Sequence, residues 1–573
     1  MVIIVSWRKD TKQLRIERII SCKLSYSDYF CVYTEDLKLG IGNTNLLMER
    51  IVKKLLLLAS VLVWVSSVFA EEKPKLIVGV VISHFYPEWM DMYGNELSEN
   101  GLKRIMKHGA QMNANYNYFY TQTGVDHASI YTGMLPTEHG IVSRAWYDRL
   151  RRKRQYSTQS DRYTEIGDQQ ADSIKSLSPD YLQTMSLGSA MKWNNPMSRV
   201  FSIAMNGDEA VLSGGSSADM AIWFSEKTGK WVSSSYYRSE LPEWLKKYNT
   251  WVESDHFVNK GWMMLSDEDK SAARIRLTNH FYYDIARAKK EYNTYRVLKA
   301  TPYANTLVRV LAEKLIDEER LGVDNDPDLL ALNFSCLDYM SRDFTIDSSE
   351  EKDMLIRLDM DIAALLSKLD ARVGKENYTL FVTFSEMREL MPEDLQKIKV
   401  NSDYFSIFKA VALLKSYLGL VYGPGDWIAD YDQGQIYLNR ELIEQKKINL
   451  KEMQDKVADF MIEFEGVAKV MTAYSLTHTS FPEGVNRLVQ NSFSHKRSGD
   501  VFFCIHPTWV SELKELEDTY FRHTKRPIVP LYLYGTGVKA DLKGNCMMSD
   551  LLPTLCKILG INAPYTAHGK AIF

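Results

Sequence analysis

Short apolar runs without polar alternation constrain this chain more than any other feature. LIVGVVI at 76–82, LLALNF at 329–334, LFVT at 380–383, VFFCI at 501–505 and VPLYLY at 529–534 read as strands buried on both faces. Amphipathic stretches at 305–319, 349–373 and 450–464 lie between them. Such strands and helices in turn predict an α/β fold, a parallel sheet covered by helices on both faces. The 549–560 stretch, with Pro553 near its start and Gly560 at its end, reads as a final capped helix. Two segments break the rhythm: about 145–300, rich in Trp, Tyr and charge, and about 386–500. Both read as cap-like insertions into a single domain spanning 71–573.

The N-terminal part reads differently. Met48-Glu49-Arg50-Ile51-Val52-Lys53-Lys54 precedes an apolar run from Leu55, and small residues lead to Ala70 before Glu71-Glu72. A basic start, a short apolar core and a small residue before an acidic one are the marks of a secretory signal. The run is short for a membrane span, which takes about 20 residues. Residues 48–70 are therefore expected to be a signal peptide cleaved near Ala70, with a periplasmic or secreted product. A signal should begin its chain, so Met48 is the expected start and 1–47 an upstream extension outside the fold. The mature part keeps Cys336, Cys504, Cys546 and Cys556, expected as four thiols or at most one bridge. The formal net charge of -3 offers nothing that would draw nucleic acid or an anionic membrane.

In open α/β sheets ligands bind beyond the carboxyl ends of the strands. Here those ends carry Ser83-His84, Ser335-Cys336-Leu337-Asp338 and Phe384-Ser385-Glu386, and Thr123 opens a predicted helix in Thr121-Gln122-Thr123-Gly124-Val125-Asp126-His127. His84, Glu88, Asp91, Asp338 and Glu386 are a candidate cluster for one divalent ion, weighed against an ordinary polar cleft. The basic run Arg149, Arg151, Arg152, Lys153, Arg154 reads as a solvated loop, with an anion contact at the cleft rim as the alternative. Trp223, Trp231, Tyr236, Tyr237 and Trp244 read as the core of an insertion rather than a ligand groove. His478 and His495 are expected to be exposed.

The chain resembles the zinc-dependent alkaline phosphatase and type I phosphodiesterase (nucleotide pyrophosphatase) family from about Lys75 onward. Among its members it is most similar to bacterial periplasmic phosphatases with a threonine nucleophile. The resemblance rests on His127-Ala128-Ser129-Ile130-Tyr131-Thr132-Gly133 with His139-Gly140-Ile141, and on Thr301-Pro302-Tyr303-Ala304-Asn305-Thr306-Leu307. Ile436-Tyr437-Leu438-Asn439, Lys496-Arg497-Ser498-Gly499-Asp500-Val501 and Ser549-Asp550-Leu551-Leu552-Pro553-Thr554-Leu555 complete it.

That resemblance implies a site with two zinc ions held by Asp and His. Taken position by position, the first-strand aspartate is Ser83. The aspartate of the next element is kept as Asp338, while its histidine is Arg342. The following Asp-His pair is Ser385-Glu386, and the last histidine is Ile528. Five of six ligands are replaced. Thr123 holds the nucleophile position, and without an activating shell it reads as a helix cap. The substrate-binding asparagine is Arg144, and the paired lysine and arginine are Asn206 and Asp208, a carboxylate where a guanidinium should grip phosphate. Arg342 is expected to stand in for the metal beside Asp338 and Glu386.

These readings make the chain an exported, catalytically degenerate phosphatase that works by binding a ligand or an envelope protein partner. No cofactor is expected, nor contact with nucleic acid or with membrane beyond the export signal. The alternative is an active metal-dependent phosphoric ester hydrolase with an altered site, holding zinc or another divalent metal at reduced stoichiometry. A structural envelope protein is a third possibility.

Overall fold

The fold was established from a computed structural model. It describes residues 73–573 other than 168–174, 266–280, 341–343, 345, 389, 433, 513–519 and 522–526, together with three earlier strands. Those strands, Val2–Arg8, Gln13–Ile20 and Cys31–Thr34, pair as an antiparallel sheet within a separate unit, Met1–Glu71. The 48–70 segment read as a signal lies outside the described residues. Glu72–Phe573 forms the second compact unit.

The second unit is built on an eleven-stranded sheet. At its centre Leu76–Ser83 lies between Asp328–Phe334 and Tyr378–Ser385, parallel to both, and every residue of the three is buried. Helices Tyr303–Glu318 and Ser349–Arg372 match the periodic stretches expected there. The second starts at Ser348, whose hydroxyl accepts the Glu351 N–H at 3.2 Å, a cap that satisfies one orphan donor. The last helix, Leu551–Leu559, ends at Gly560 with φ 63°, the left-handed stop that glycine adopts without strain.

Gly79, within the first strand, has a packing reason. A Cβ there would stand 2.4 Å from the Phe381 ring and 2.5 Å from the Tyr131 hydroxyl. Gly79→Ala is therefore expected to lower unfolding free energy by about 1–3 kcal/mol through overpacking, measured as a fall in urea midpoint at unchanged slope.

Three expectations are corrected. Ile528–Gly535 runs antiparallel to both its neighbours, Tyr378–Ser385 and Ala110–Asn115, so the sheet is mixed. An apolar run buried on both faces carries no mark of its direction. The 145–300 segment is not only an insertion, because Gln159–Ile166, Lys175–Leu177, Val200–Ala204, Met220–Phe224 and Trp231–Ser234 all belong to the main sheet. Val501–Ile505 lies outside that sheet. It sits in a four-stranded antiparallel sheet with Ile428–Asp432, Gln435–Leu438 and Val467–Thr472. Its Val501, Phe503 and Ile505 join one apolar cluster, with Leu414 and Val457 from two helices. Phe502 and Cys504 join another, with Tyr120 and Val489. Both faces are covered, which is why the run lacks alternation.

Candidate functional site

Two adjacent strands end side by side and turn sharply. His84 follows Ser83 with φ 54°, and Glu386 follows Ser385 with φ 44°. Left-handed backbone is unfavourable for such residues, and the His84 N–H is tied to the Ser385 carbonyl at 3.0 Å. The turns bring their side chains together. Asp338, from the helix Cys336–Met340 beyond the third central strand, completes the group.

His84 Nδ1 lies 2.8 Å from Asp338 Oδ1 and 3.7 Å from Glu386 Oε2. Desolvation works against the imidazolium, but the Asp338 charge and hydrogen bond, with Glu386 behind them, raise its pKa above the usual value. Thr123 Oγ1 donates to Glu386 Oε2 at 2.7 Å. Burial pushes the Glu386 carboxyl up, and the His84 charge and the Thr123 hydroxyl offset this only in part.

Thr123 is the first residue of the helix Thr123–Thr132, and Gln122 holds the cap position. The expected capping role is thus corrected, because the hydroxyl is committed to a carboxylate across the site. The Asp126 carboxylate, in the first turn of this helix, accepts the Glu386 N–H at 3.2 Å and the Tyr118 hydroxyl at 2.6 Å.

The other aligned positions form neutral or remote contacts. Ser385 Oγ donates to Ser83 Oγ at 3.0 Å in the buried floor, and Asn333 Nδ2 lies 2.5 Å from His127 Nε2. Ile528 is 51% exposed at the edge of its strand and carries no donor. Arg342 lies outside the described residues; among those described, His84 faces Asp338. Of the candidate metal cluster, His84, Asp338 and Glu386 come together. Glu88 precedes the short helix Trp89–Tyr93, and the Asp91 charge acts on Tyr532. Two zinc ions do not fit this set, since Ser83, Ser385 and Ile528 offer no anionic or imidazole donor where three ligands should stand. Among the described residues no group of three His, Cys, Asp or Glu is arranged to hold a metal ion.

At the substrate-binding positions, Arg144 is exposed and its backbone N–H donates to Gln122 Oε1 at 2.9 Å. Asp208 accepts the Thr158 hydroxyl. Asn206 Oδ1 accepts Lys299 Nζ at 2.7 Å and the Tyr339 hydroxyl at 2.8 Å. Lys299 is 4% exposed and also pairs with Glu226, so a buried ammonium stands beside the position that should itself supply one. The sequence reading missed it. Its only signal is its place two residues before the Thr301-Pro302 motif.

In the basic run Arg151, Arg152 and Lys153 are exposed as expected of a solvated loop, while Arg149 and Arg154 are partly buried. Arg149, Arg151 and Arg152 lie in the turn of the hairpin made by Ala145–Asp148 and Lys153–Tyr156. Arg149 pairs with Asp500, Arg152 with Glu441 and Arg154 with Asp430, so these charges join the hairpin to the smaller sheet. Trp223 and Trp231 are buried, and His478 and His495 are exposed. Cys336, Cys504, Cys546 and Cys556 are free thiols, with Cys556 inside the last helix.

A mixed sheet flanked by helices, with a threonine opening a helix opposite acids at the strand ends, defines an alkaline phosphatase-like architecture. The family model for type I phosphodiesterase / nucleotide pyrophosphatase matches residues 77–528, and the chain belongs to that family, within the alkaline phosphatase superfamily. It is 31% identical over 527 residues to a Myroides odoratus protein described as a calcium-transporting ATPase, covering 87% of this chain and 94% of that one. To the alkaline phosphatase PafA of Elizabethkingia meningoseptica it is 29% identical over 524 residues, covering 88% and 94%. The crystal structure of wild-type PafA is similar with a TM-score of 0.78 at 26% identity, covering 87% of this chain and 98% of that one. A PafA mutant with one threonine, one asparagine, one lysine and one arginine replaced gives the same TM-score of 0.78 at 27% identity and the same coverage.

Proposed function

We propose that this protein is an exported, catalytically degenerate member of its family that binds a ligand or an envelope protein partner through the former catalytic cleft. One observation carries the reading: the groups left at the site satisfy one another. Thr123 donates its hydroxyl to Glu386, and His84 neutralises Asp338 from within the chain. A threonine oxygen needs a cation or a free base to become a nucleophile, and phosphoryl transfer needs positive charge on the transferring group. In the fourfold PafA mutant the replaced threonine, asparagine, lysine and arginine are spaced along that chain as Thr123, Arg144, Asn206 and Asp208 are along this one. Only the threonine is kept here, and Asp208 opposes a phosphate.

The test is metal content together with hydrolysis of p-nitrophenyl phosphate, on protein purified without chelators from zinc-supplemented cells. Substoichiometric metal is expected, with a hydrolysis rate that Thr123→Ala leaves unchanged. About two zinc ions per chain, with a rate that Thr123→Ala abolishes, would replace this reading with that of an active hydrolase.

A further inference from the structure

A lysine, an asparagine and a glutamate meet away from Thr123, in an arrangement that neither phosphate hydrolysis nor its loss explains. Asn206 occupies the cap position of the helix Gly207–Gly214, yet its side chain makes no capping hydrogen bond. It faces Glu209, three residues on in the first turn, and its Nδ2 donates to Glu209 Oε1 at 2.8 Å. Lys299 arrives from the 3-10 helix Tyr295–Ala300, 93 residues further along the chain, with Nζ 2.7 Å from Asn206 Oδ1. The Tyr339 hydroxyl donates to the same oxygen at 2.8 Å. Lys299 and Glu209 are 4% and 3% exposed, so the amine and the acid meet at one carboxamide largely shielded from water.

We propose that Lys299 and Asn206 become joined by an isopeptide bond, made by the fold itself with Glu209 as general acid. Lys299 Nζ attacks Asn206 Cγ; the Nζ–Cγ bond forms, the Cγ–Nδ2 bond breaks, and Nδ2 leaves as ammonia. The attacking nitrogen must first lose a proton, and Glu226, 2.5 Å from Nζ, is placed to take it. Glu209 supplies a proton to the departing nitrogen, which already rests against its Oε1. Burial, with the Asp338 and Asp208 charges, pushes the Glu209 carboxyl well above its ordinary value despite Asn206 and Lys299. It therefore holds the proton this step needs. Its Oε2 has no hydrogen-bond partner among the described residues. Tyr339 donates to the oxygen on which negative charge develops. In sum, one ammonium and one amide give one secondary amide and one ammonium ion, with no co-reactant. Desolvation works against the Lys299 ammonium, but Tyr339 and Glu226 keep its pKa above the ordinary value. The free amine is thus the minor form, and held contact between the two groups replaces a bimolecular encounter. The cross-link goes beyond the reading above and is independent of it, because it is compatible with either outcome of the zinc and hydrolysis test.

The test is mass spectrometry of the purified full chain, intact and after trypsin, following incubation of the folded protein at mildly alkaline pH. The wild type is expected to be lighter than its sequence by one ammonia. Trypsin is expected to spare the bond after Lys299, so that the peptide 297–309 is recovered joined to the peptide 200–227. Lys299→Arg keeps the cation but has no amine to offer, and should show neither change. Glu209→Gln keeps an acceptor for Asn206 without an acidic proton, and should slow formation tenfold or more. The proposal is overturned if the folded wild type keeps its full mass and is cut after Lys299. It is equally overturned if the ammonia is lost within Asn206-Gly207 alone, by deamidation, with Lys299 still cut. Cross-linking of Glu209→Gln as fast as the wild type would overturn it too.

Discussion

Replacing His139 by glutamine flattens the acid limb of the stability profile by about 1.4 kcal/mol per pH unit between pH 6.5 and about 4.5, and His127→Gln does the same. Both imidazoles are fully buried, and burial lowers each pKa from 6.5 to about 3; the Arg497 charge adds to the effect at His139. The hydrogen bonds agree with a neutral ring. His139 Nδ1 accepts the Ile141 N–H at 3.1 Å, so its proton resides on Nε2, 2.9 Å from Ser129 Oγ. A proton on Nδ1 would set two donors against each other. Between the folded and unfolded pKa values the unfolded chain therefore binds one more proton per histidine. Stability present above pH 6.5 is lost as pH falls toward 3. Asp361, whose carboxyl is raised to about 6 by burial despite Arg309, acts in the opposite direction. The comparison that isolates the histidines is thus the difference in slope between wild type and variant, from urea unfolding at a series of pH values. Parallel profiles would show that these rings are protonated in the folded protein.

The sheet centre was legible because bare apolar runs have few other fates. What stayed hidden was relational. Val529–Tyr534 looks the same whichever way it runs, and Val501–Ile505 looks the same in a small sheet covered on both sides as in a large one. Val200–Ala204 and Met220–Phe224 are short and lie among charged residues, so their membership of the main sheet did not stand out. The site divides in the same way. Aligned motifs locate Ser83, Thr123, Asp338, Ser385 and Glu386 at strand and helix ends, where the structure places them. The partners of those groups are set by tertiary contacts. His84 reaches Asp338 across 254 residues of chain, and Lys299 reaches Asn206 across 93. No local pattern announces such a pair. Arg342, expected as a counter-cation from its sequence proximity to Asp338, lies outside the described residues, and the imidazole that a left-handed turn after the neighbouring strand brings to Asp338 had no such local signal.

Asp500→Ala is expected to cost about 3–5 kcal/mol, because it leaves two half-buried guanidinium groups and a buried backbone N–H without their acceptor rather than merely losing a contact. Asp500 is fully buried and receives Arg149 Nη2 at 3.2 Å, Arg440 Nε at 2.8 Å, Gln454 Nε2 at 3.3 Å and the Leu438 N–H at 2.9 Å. Arg149 comes from the hairpin of residues 145–156, whereas the other three belong to the smaller sheet and its helices. The carboxylate is thus the point at which the hairpin and the smaller sheet are joined. Within Lys496-Arg497-Ser498-Gly499-Asp500-Val501 this contact gives the buried carboxylate a structural role. Asp500→Asn keeps an acceptor for the Leu438 N–H but loses the charge, and should cost less than the alanine variant. Hydrogen exchange would locate the damage. Protection is expected to fall first in Ile428–Asp432, Gln435–Leu438 and Val501–Ile505, while Leu76–Ser83 and Asp328–Phe334 keep theirs. A loss below about 1 kcal/mol, the scale of an exposed pair, would mean that the two arginines find solvent when the carboxylate is gone.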